Sequence, residues 1–327
     1  MIRPIELCIE RPMKITDGVL TTTFHVWDII KASYDGNLLR VKEMINECPQ
    51  LAYAQINYTP PIHFAVREGH LEMVDFLLRK GALAPDYRIY PFLDPLLVLA
   101  EDRGFDEIAQ LLRDYLADPS RCMFRGDNGE IDYGRTPEQQ ELQVAIDKSK
   151  LTVVKSILEK HPDWATDPFY FWSEGILTMP VKYHDLPMIK LLMQYGAKVP
   201  SVVKWSQAYY FERYDSTEFI LENGADPNQM SWHHVTILHD MAQKGKIKMA
   251  ELLLKHGAFI NVLEEEYQST PLGMAARWGH VGMVEFLLTK GADPNLSGAS
   301  WSTPVAWAKK KGHLDIERIL IAAGGRG

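Results

Sequence analysis

Apolar side chains recur along the chain in short blocks with helical spacing. Within residues 69–78 they occupy positions 73, 74, 76, 77 and 78. Residues 279–288 repeat this block and are identical to the first at seven of ten positions. In both copies another glycine, Gly81 or Gly291, follows twelve residues after the first glycine. The spacing predicts a helix whose apolar face a single unit cannot cover, so that neighbouring units must stack to bury it.

The ends of these helices carry signals of their own. Thr270-Pro271 and Thr303-Pro304 lie nine residues before a first glycine. Threonine caps a helix N-terminus, and proline suits the first turn because an N–H there has no helical partner. Glycine ends a helix in a left-handed conformation that other residues resist. Together these signals predict a short helix, a glycine turn and a longer helix in each unit.

This unit resembles the ankyrin repeat, which has a period of about 33 residues and the signature T-P-L-H-x-A. The resemblance is strongest over residues 59–82 and 236–324. It implies an all-α solenoid over residues 25–327, with about nine stacked helix-turn-helix units and short β-hairpin-like fingers. The first-glycine positions of the nine units are Gly36, Gly69, Gly104, Ser149, His184, Glu212, Gly245, Gly279 and Gly312. Units four to six have neither the glycine nor the Thr-Pro pair in this register.

Three stretches depart from the repeat. Residues 1–24 have no register, and their alternating apolar positions predict an N-terminal cap or arm, or a strand that joins another protein's sheet. An excess of about twelve residues, rich in glycine and proline, predicts a loop insertion near 114–139. Pro180 stands where the first helix should have an alanine. It predicts a broken or shifted helix within an irregular centre near 165–212.

Composition limits the classes of partner and compartment. Lys and Arg number 35 against 43 Asp and Glu, giving a formal net charge of −8. This balance argues against a general nucleic-acid or anionic-membrane surface and favours a basic partner. No apolar run reaches the roughly 18–20 residues of a membrane helix, and the charged start is unlike a secretory signal. Cys8, Cys48 and Cys122 are too few and too far apart for a disulfide framework, which favours the reducing cytoplasm.

Residues with catalytic or metal-binding chemistry form no recognisable motif. The sequence has no phosphate-binding glycine motif and no nucleophile elbow, so we expect neither enzymatic activity nor a cofactor. His233 and His234 with Asp240 resemble metal ligands, but adjacent side chains on an extended finger point apart, so we expect no metal site. Residues 127–132 lack the ligand pattern of a calcium loop. Most other histidines fall on repeat positions, where the resemblance implies that they tie neighbouring hairpins together by hydrogen bonds.

Aromatic and basic residues collect on one predicted surface. In the proteins that this chain resembles, partners lie along a groove between the finger tips and the exposed ends of the first helices. Carried over by position, the resemblance predicts the partner-binding residues Trp172, Tyr183, Tyr210, Phe211, Trp232, His233, Tyr267, Arg277, Trp278, Trp301 and Lys310. Trp, Tyr and Arg dominate the energetics of protein interfaces. Trp205, Tyr209 and Trp307 fall on positions that face the neighbouring unit, which predicts core packing.

The sequence therefore predicts noncovalent binding of a protein or peptide along this concave groove. One alternative is a receptor for a small molecule or peptide fragment, with Tyr183, Tyr210 and Phe211 forming a pocket at a central bend. Another is a regulatory subunit that docks on a catalytic chain. The lysines at 309–311 form either a solvated helix end or a patch for an acidic partner. Apolar residues on more than one side of residues 314–321 predict self-association through the last unit.

Overall fold

The structure, a computed structural model, describes residues 1–118, 129–202 and 210–327. These residues pack into two compact units. One unit is Glu6–Tyr133, and the other combines Met1–Ile5 with Gly134–Gly327. Trp205 and Tyr209, expected in the core, lie outside the described residues. The domain limits predicted from the repeat pattern, 1–24 and 25–327, remain a prediction.

A small antiparallel sheet forms part of the unit Glu6–Tyr133. Its strands are β1 (Pro12–Lys14), β2 (Leu20–Thr22) and β3 (Glu130–Ile131), in the order β2-β1-β3. Met13 pairs with Thr21 on one side and with Ile131 on the other, and its side chain is buried. Since β1 lies between two strands of its own chain, the structure gives this segment an intramolecular role in place of the predicted strand for another protein's sheet.

Helical hairpins make up the rest of this unit. Its helices are α1 (Thr23–Tyr34), α2 (Leu38–Glu47), α3 (Pro61–Arg67), α4 (Leu71–Arg79), α5 (Leu96–Arg103) and α6 (Asp106–Leu116). The hairpin partners are α1 with α2, α3 with α4 and α5 with α6, and the first helices α1, α3 and α5 contact one another in order. The fingers are closed by the bridges Ile56–Thr59 and Ile89–Asp94.

The second unit continues the same construction. Its helices are α7 (Pro137–Asp147), α8 (Leu151–Lys160), α9 (Tyr170–Ser173), α10 (Thr178–Lys182), α11 (Leu186–Gln194), α12 (Tyr214–Glu222), α13 (Ile237–Gln243), α14 (Ile247–Lys255), α15 (Pro271–Arg277), α16 (Val281–Thr289), α17 (Pro304–Lys311) and α18 (Leu314–Ala322). The first helices α13, α15 and α17 pack side by side, and the second helices α14, α16 and α18 form the layer behind them. Among the described helices, none has the length and apolar character needed to cross a membrane.

The predicted register also holds in units four and five, which lack the glycine. Ser149 and His184 adopt left-handed backbone conformations, with φ of 54° and 56°. The second helices α8 and α11 begin two residues later, at Leu151 and Leu186. The backbone therefore keeps the glycine turn even where the side chain makes it costly.

Helices on both sides extend into the range near 114–139 that is predicted to hold a loop insertion. The helix α6 continues to Leu116, and α7 begins at Pro137. Thr136 caps α7 by accepting a hydrogen bond from Gln139 N, while the Gln139 side chain accepts one from Thr136 N. This Thr-Pro pair lies outside the nine-residue spacing because α7 is eleven residues long, whereas α13 and α15 have seven.

Histidines after the first glycine connect neighbouring hairpins, as expected from the resemblance. His70 Nε2 lies 2.9 Å from the carbonyl oxygen of Tyr34. His280 and His313 make the equivalent contacts with Gln243 and Arg277, at 2.6 and 3.2 Å. Each imidazole thus donates an N–H to an otherwise unsatisfied carbonyl at the end of the preceding first helix.

Candidate partner-binding site

Four of the aromatic residues predicted to face a partner are buried. Tyr210, Phe211 and Tyr267 are fully inaccessible, and Trp232 is nearly so. The Tyr210 hydroxyl donates to Glu174 O at 3.1 Å and lies 3.0 Å from Thr178 Oγ1, and burial raises the pKa of this phenol. The expected exposure of these four rings is therefore wrong, because neighbouring fingers and helices cover them.

The finger that carries Trp232 and His233 packs against the next finger. His233 is buried and pairs through Nδ1 with the buried carboxylate of Glu266. Trp232 lies edge-on to His233 with ring centroids 4.6 Å apart, and its carbonyl accepts a hydrogen bond from Ile2 N at 3.0 Å. The predicted partner contacts of Trp232 and His233 are corrected to contacts inside the unit.

The two adjacent histidines serve different carboxylates. His234 Nδ1 lies 2.6 Å from Glu265 Oε1, whereas His233 pairs with Glu266. Asp240, the third residue of the suspected ligand set, instead accepts a hydrogen bond from Lys244 Nζ at 2.7 Å. The three side chains therefore have separate partners, as the opposite directions of neighbouring finger residues imply.

The next finger, which carries Glu265 and Glu266, contains a buried carboxylate that accepts hydrogen bonds from several backbone N–H groups. Glu264 accepts hydrogen bonds from the N–H groups of Glu266, Tyr267 and Ser269 at 2.6–3.0 Å. Burial raises the pKa of Glu264 to about 7, against the opposing effect of these three donors. The carboxylate shapes the loop that presents Tyr267 to α17.

The aromatic pocket considered for a small molecule is not formed by the residues predicted to line it. Tyr183 is 61% exposed, while Tyr210 and Phe211 are buried. Rings that differ so much in accessibility do not close around one cavity. Trp172 lies in α9, and its side chain is outside the described part of the structure.

The remaining predicted residues gather around Trp307, which is fully buried as expected for a core position. The Trp301 ring meets Trp307 edge-on at a centroid distance of 5.7 Å. Lys310 Nζ lies 6.0 Å from the centre of the Trp307 ring system, and Lys311 Nζ lies at 5.8 Å. We call Tyr267, Arg277, Trp278, Trp301, Trp307, Lys310 and Lys311 the Trp307 cluster.

Arg277 forms the buried base of the Trp307 cluster. Its guanidinium carbon lies 4.0 Å from the ring centre of Tyr267 and 5.2 Å from those of Trp278 and Trp307. At 5% exposure, this side chain is held by stacking on aromatic rings and is not a contact residue. The prediction that Arg277 touches a partner is therefore corrected to a supporting role.

Helix caps and one indole hydrogen bond position the cluster. Thr270 caps α15 by accepting from Gly273 N, and Thr303 caps α17 by accepting from Ala306 N. Trp307 Nε1 donates to Ser269 Oγ at 2.7 Å. On this fixed base, Trp278 and Trp301 are half-buried and Lys310 is exposed. Trp301, Lys310 and Lys311 thus lie around the Trp307 ring, and Trp278 is connected to it through Arg277.

Sequence reasoning also missed a set of asparagines that connect neighbouring repeats. Each forms hydrogen bonds to the backbone that follows the second helix of the next repeat. Asn228 donates to Gly257 O and accepts from Phe259 N. Asn295 makes the corresponding bonds with Gly324 O and Arg326 N. A signal was present, because both asparagines end an Asp-Pro-Asn triplet, at 226–228 and 293–295.

Comparison with known proteins identifies the repeat. The family model for the ankyrin repeat matches residues 58–88, and the model for three copies of ankyrin repeats matches residues 205–298. An ankyrin repeat and KH domain-containing protein of Caenorhabditis briggsae is 28% identical over 163 residues, 48% of this chain and 6% of that protein. Palmitoyltransferase ZDHHC17 of Danio rerio is 36% identical over 95 residues, 29% of this chain and 15% of that protein.

A further relative is the ARF GTPase-activating protein GIT2 of Mus musculus, 36% identical over 84 residues, 26% of this chain and 12% of that protein. The chain thus matches only 6–15% of the length of these three relatives. The shared part is a repeat segment, so the activities of the whole relatives are not assigned to this chain. The repeat matches and the stacked hairpins confirm the predicted all-α ankyrin fold. The chain therefore contains ankyrin repeats, and such repeats indicate a protein-interaction module.

Proposed function

We propose that the chain binds a protein or peptide noncovalently through the accessible side of the Trp307 cluster. The observation that carries this proposal is that Trp301 and Lys310 meet one buried indole, Trp307, while the Arg277 guanidinium lies over both Trp307 and Trp278. Half-buried tryptophans offer a large contact area and lose little conformational entropy when a partner covers them. The proposed binding site is therefore smaller than the groove predicted from the sequence, and its residues come from the last two repeats.

The rigidity beneath the surface supports this function. Binding is weakened when side chains must be ordered at the interface. Here the indole of Trp307 is held by Ser269, and the Arg277 guanidinium is stacked on Tyr267. A partner therefore meets rings and ammonium groups whose supporting residues are already in place.

Affinity capture with matched variants tests the proposal. The full chain and the triple variant Trp278→Ala/Trp301→Ala/Lys310→Ala are immobilised and exposed to extract from the source cells, and bound proteins are identified by mass spectrometry. The matched control is Tyr214→Ala/Phe259→Ala/Lys190→Ala, which removes two exposed rings and one exposed lysine outside the cluster.

We expect at least one protein to be captured by the wild type and the control but lost from the cluster variant. Circular dichroism and thermal unfolding must show that both variants keep the fold. Equal capture by all three proteins would reject the Trp307 cluster as the binding surface.

A further inference from the structure

We infer that the second helices of the unit Glu6–Tyr133 bind an amphipathic helix of a protein partner. The bound helix runs antiparallel to α4 and places Lys or Arg side chains at its C-terminal end over Glu72 and Glu107. It occupies a groove of about 700 Å³ at α2, α4 and α6, which we call the α4 groove and define by Leu38, Leu71, Glu72, Phe76, Glu107 and Leu111. The α4 groove shares no residue with the Trp307 cluster, so this inference goes beyond the proposed function.

The helix α4 forms the floor of the α4 groove. Glu72, Asp75 and Phe76 lie on one face of α4, because they are three and four residues apart. On one side Lys42 of α2 reaches over the Phe76 ring, with Nζ 5.6 Å from the ring centre. The helix α6 contacts α4 directly. Since a helix rises 1.5 Å per residue, residues 71–79 give the floor a length of about 12 Å.

Apolar side chains give the α4 groove its contact area. Leu38, Leu71, Phe76 and Leu111 come from three successive second helices, and all four are only half-buried. An amphipathic helix presents apolar side chains at i, i+3 or i+4 and i+7, which form a stripe of matching length. Covering the four side chains with such a stripe removes their remaining apolar surface from water, which is favourable.

The backbone around the α4 groove favours a helix over an extended segment. The groove is built from helices, whose backbone N–H and C=O groups are bonded within each helix. An extended peptide would bring unpaired backbone groups against Leu71 and Phe76, which is unfavourable away from water. A helix satisfies its own backbone, and its side-chain ridges pack into the grooves of the helices below it.

Unpaired negative charge lies at one end of the α4 groove. Glu72 and Glu107 occupy equivalent positions in consecutive repeats, three residues after the first glycine of each. Both are exposed, and among the residues that the structure describes neither has an ion pair or a side-chain hydrogen bond. By contrast, Asp75 is paired with Arg79 Nη2 at 2.8 Å. A Lys or Arg side chain of the bound helix gives Glu72 and Glu107 the partner that the chain does not supply.

The other end of the α4 groove is basic, and this polarity sets the direction of the bound helix. Lys42 Nζ and Lys80 Nζ each lie 5.6 Å from the centre of the Phe76 ring, one helical turn beyond Glu72. The groove therefore changes from acidic to basic along α4. The helix dipole favours acidic residues at the start of a helix and basic residues at its end. Such a helix matches the groove only when it runs antiparallel to α4.

The dipoles of α4 and α6 alone explain only part of this surface. Glu72 and Glu107 lie in the first turns of their helices, where acidic residues are favourable in any protein. That effect does not call for an apolar groove beside the carboxylates. The combination of half-buried Leu71 and Phe76 with two unpaired carboxylates is suited to a helix that carries both apolar and basic side chains.

Selection from a peptide library tests the nature of the occupant. Randomised peptides of about fifteen residues, long enough to cover the floor with one turn beyond each end, are displayed and selected on the full-length chain. Enriched peptides are synthesised, and their affinity is measured by fluorescence anisotropy. We expect apolar residues at i, i+3 or i+4 and i+7, with Lys or Arg near the C-terminal end. Proline at the centre of an enriched peptide should weaken binding about tenfold or more, because proline breaks a helix.

Variants of the chain locate the binding. Glu72→Gln/Glu107→Gln is expected to weaken binding of the enriched peptide about fivefold or more at low salt, and less at high salt. The control Glu251→Gln/Glu285→Gln removes the same charge from exposed positions of α14 and α16 and is expected to leave affinity unchanged. Phe76→Ser/Leu111→Ser removes apolar contacts and should weaken binding at both salt concentrations. Circular dichroism of all three variants reports whether the fold is retained.

Photo-crosslinking measures the direction of the bound helix. A photoreactive residue at the C-terminal end of the enriched peptide should label the first turns of α4 and α6, near Glu72 and Glu107. The same group at the N-terminal end should label the end of α4, near Arg79 and Lys80. Mass spectrometry of the digested conjugates identifies the labelled residues.

Several outcomes would overturn the inference. These are failure to enrich any peptide, enrichment without a basic C-terminal end, binding that tolerates the central proline, and equal effects of the two glutamate variants. Crosslinks in the reverse direction or outside the α4 groove also overturn it. A lower average mass of Phe76→Ser/Leu111→Ser than of the wild type in light scattering would assign the groove to a second copy of the chain. The Trp307 cluster is tested separately by capture from extract, so either surface can fail without the other.

Discussion

Glycine and histidine are matched across neighbouring repeats. A Cβ added to Gly36 would lie 2.7 Å from the His70 ring, and one added to Gly279 would lie 2.7 Å from the His313 ring. The glycine is therefore required both by its positive φ and by the imidazole of the next repeat. Where Ser149 replaces the glycine, the following repeat has Asp185 in place of histidine, and the Ser149 hydroxyl donates to its carboxylate. At this junction both the glycine and the histidine are thus replaced, and the two new side chains are joined by a hydrogen bond.

Substitution of Gly279 separates these two requirements. Gly279→Ala adds a clash with His313 to the cost of a left-handed alanine, so we expect a loss of about 2–4 kcal/mol in the free energy of unfolding. Gly291→Ala is the control, because Gly291 has φ of 89° but no neighbouring atom within 4 Å; about 1–2 kcal/mol is expected there. Urea titrations measure both, and equal losses would contradict the role given to His313.

His239 makes stability depend on pH. Its Nδ1 accepts from Thr236 N at 3.2 Å, while Nε2–H points at the carbonyls of Val262 and Ser269. This arrangement requires the neutral ring, and burial lowers the pKa of His239 from 6.5 to about 4. Between these values the unfolded chain binds a proton that the folded chain excludes, so the contribution of His239 to the free energy of unfolding falls as pH drops from 6.5 to 4.

The variant His239→Gln isolates this effect. Glutamine keeps an acceptor and a donor but does not titrate, so the difference in unfolding free energy between wild type and variant should shrink as pH falls through that window. Taking the difference also removes the opposite trend from Glu264, whose raised pKa stabilises the fold below pH 4.5 and ceases to do so above about 7. A difference that is constant with pH would show that His239 does not titrate as described.

Hairpins are joined by three layers of contact: first helices, second helices and the loops between repeats. In the loops, Asn228, Asn261 and Asn295 each bond to the backbone of the next repeat. A single repeat cannot provide these partners for itself, so the bonds contribute to coupling between neighbours and not to the stability of one hairpin.

Asn228→Ala tests this coupling. The change removes bonds to Gly257 O and Phe259 N, which lie in the next repeat. We expect a loss of about 1–2 kcal/mol on unfolding, together with faster hydrogen exchange in α13 and α14. Asn223→Ala serves as control, since Asn223 Nδ2 donates to Phe219 O within its own repeat. An equal effect of both changes on exchange would argue against inter-repeat coupling.

Two surfaces of the molecule differ in their charge and in the apolar area that they expose. The Trp307 cluster combines aromatic rings with cations, although the chain as a whole is acidic. The last helix, α18, instead exposes Leu314 and Ile321, at 67% and 51%, while Ile316 and Leu320 are buried. Apolar side chains on its outer side are suited to a further apolar surface, such as a second copy of the chain.

Self-association through α18 follows as a prediction. Light scattering should show that the average mass of the wild type rises with concentration, and that Leu314→Lys/Ile321→Lys reduces this rise. The control Leu20→Lys/Leu39→Lys alters equally exposed leucines, at 73% and 70%, in the unit Glu6–Tyr133. A wild type that stays monomeric over the whole concentration range would rule the interaction out.

Local signals made most of the fold predictable from the sequence. Threonine caps, first-turn prolines and glycine turns act within a few residues, so they locate helix ends without knowledge of the neighbours. Units four and five lack the glycine, and the repeat spacing placed them at Ser149 and His184, where the left-handed turn is kept. The local signals did not place the start of α7, because the longer helix moves Thr136 out of the repeat spacing.

The accessible part of the site was decided by tertiary structure. Tyr210, Phe211, Trp232 and Tyr267 occupy positions like those of Trp278 and Trp301, yet neighbouring fingers and helices bury the first four. Exposure depends on which atoms the next repeat brings within contact, and a repeat pattern contains no such information. The sequence determined which residue types occupy the positions of each repeat, because helical spacing and caps are local properties of the chain. Only the packing of successive repeats placed Arg277 and Tyr267 against Trp307, because that arrangement requires side chains from separate repeats to meet.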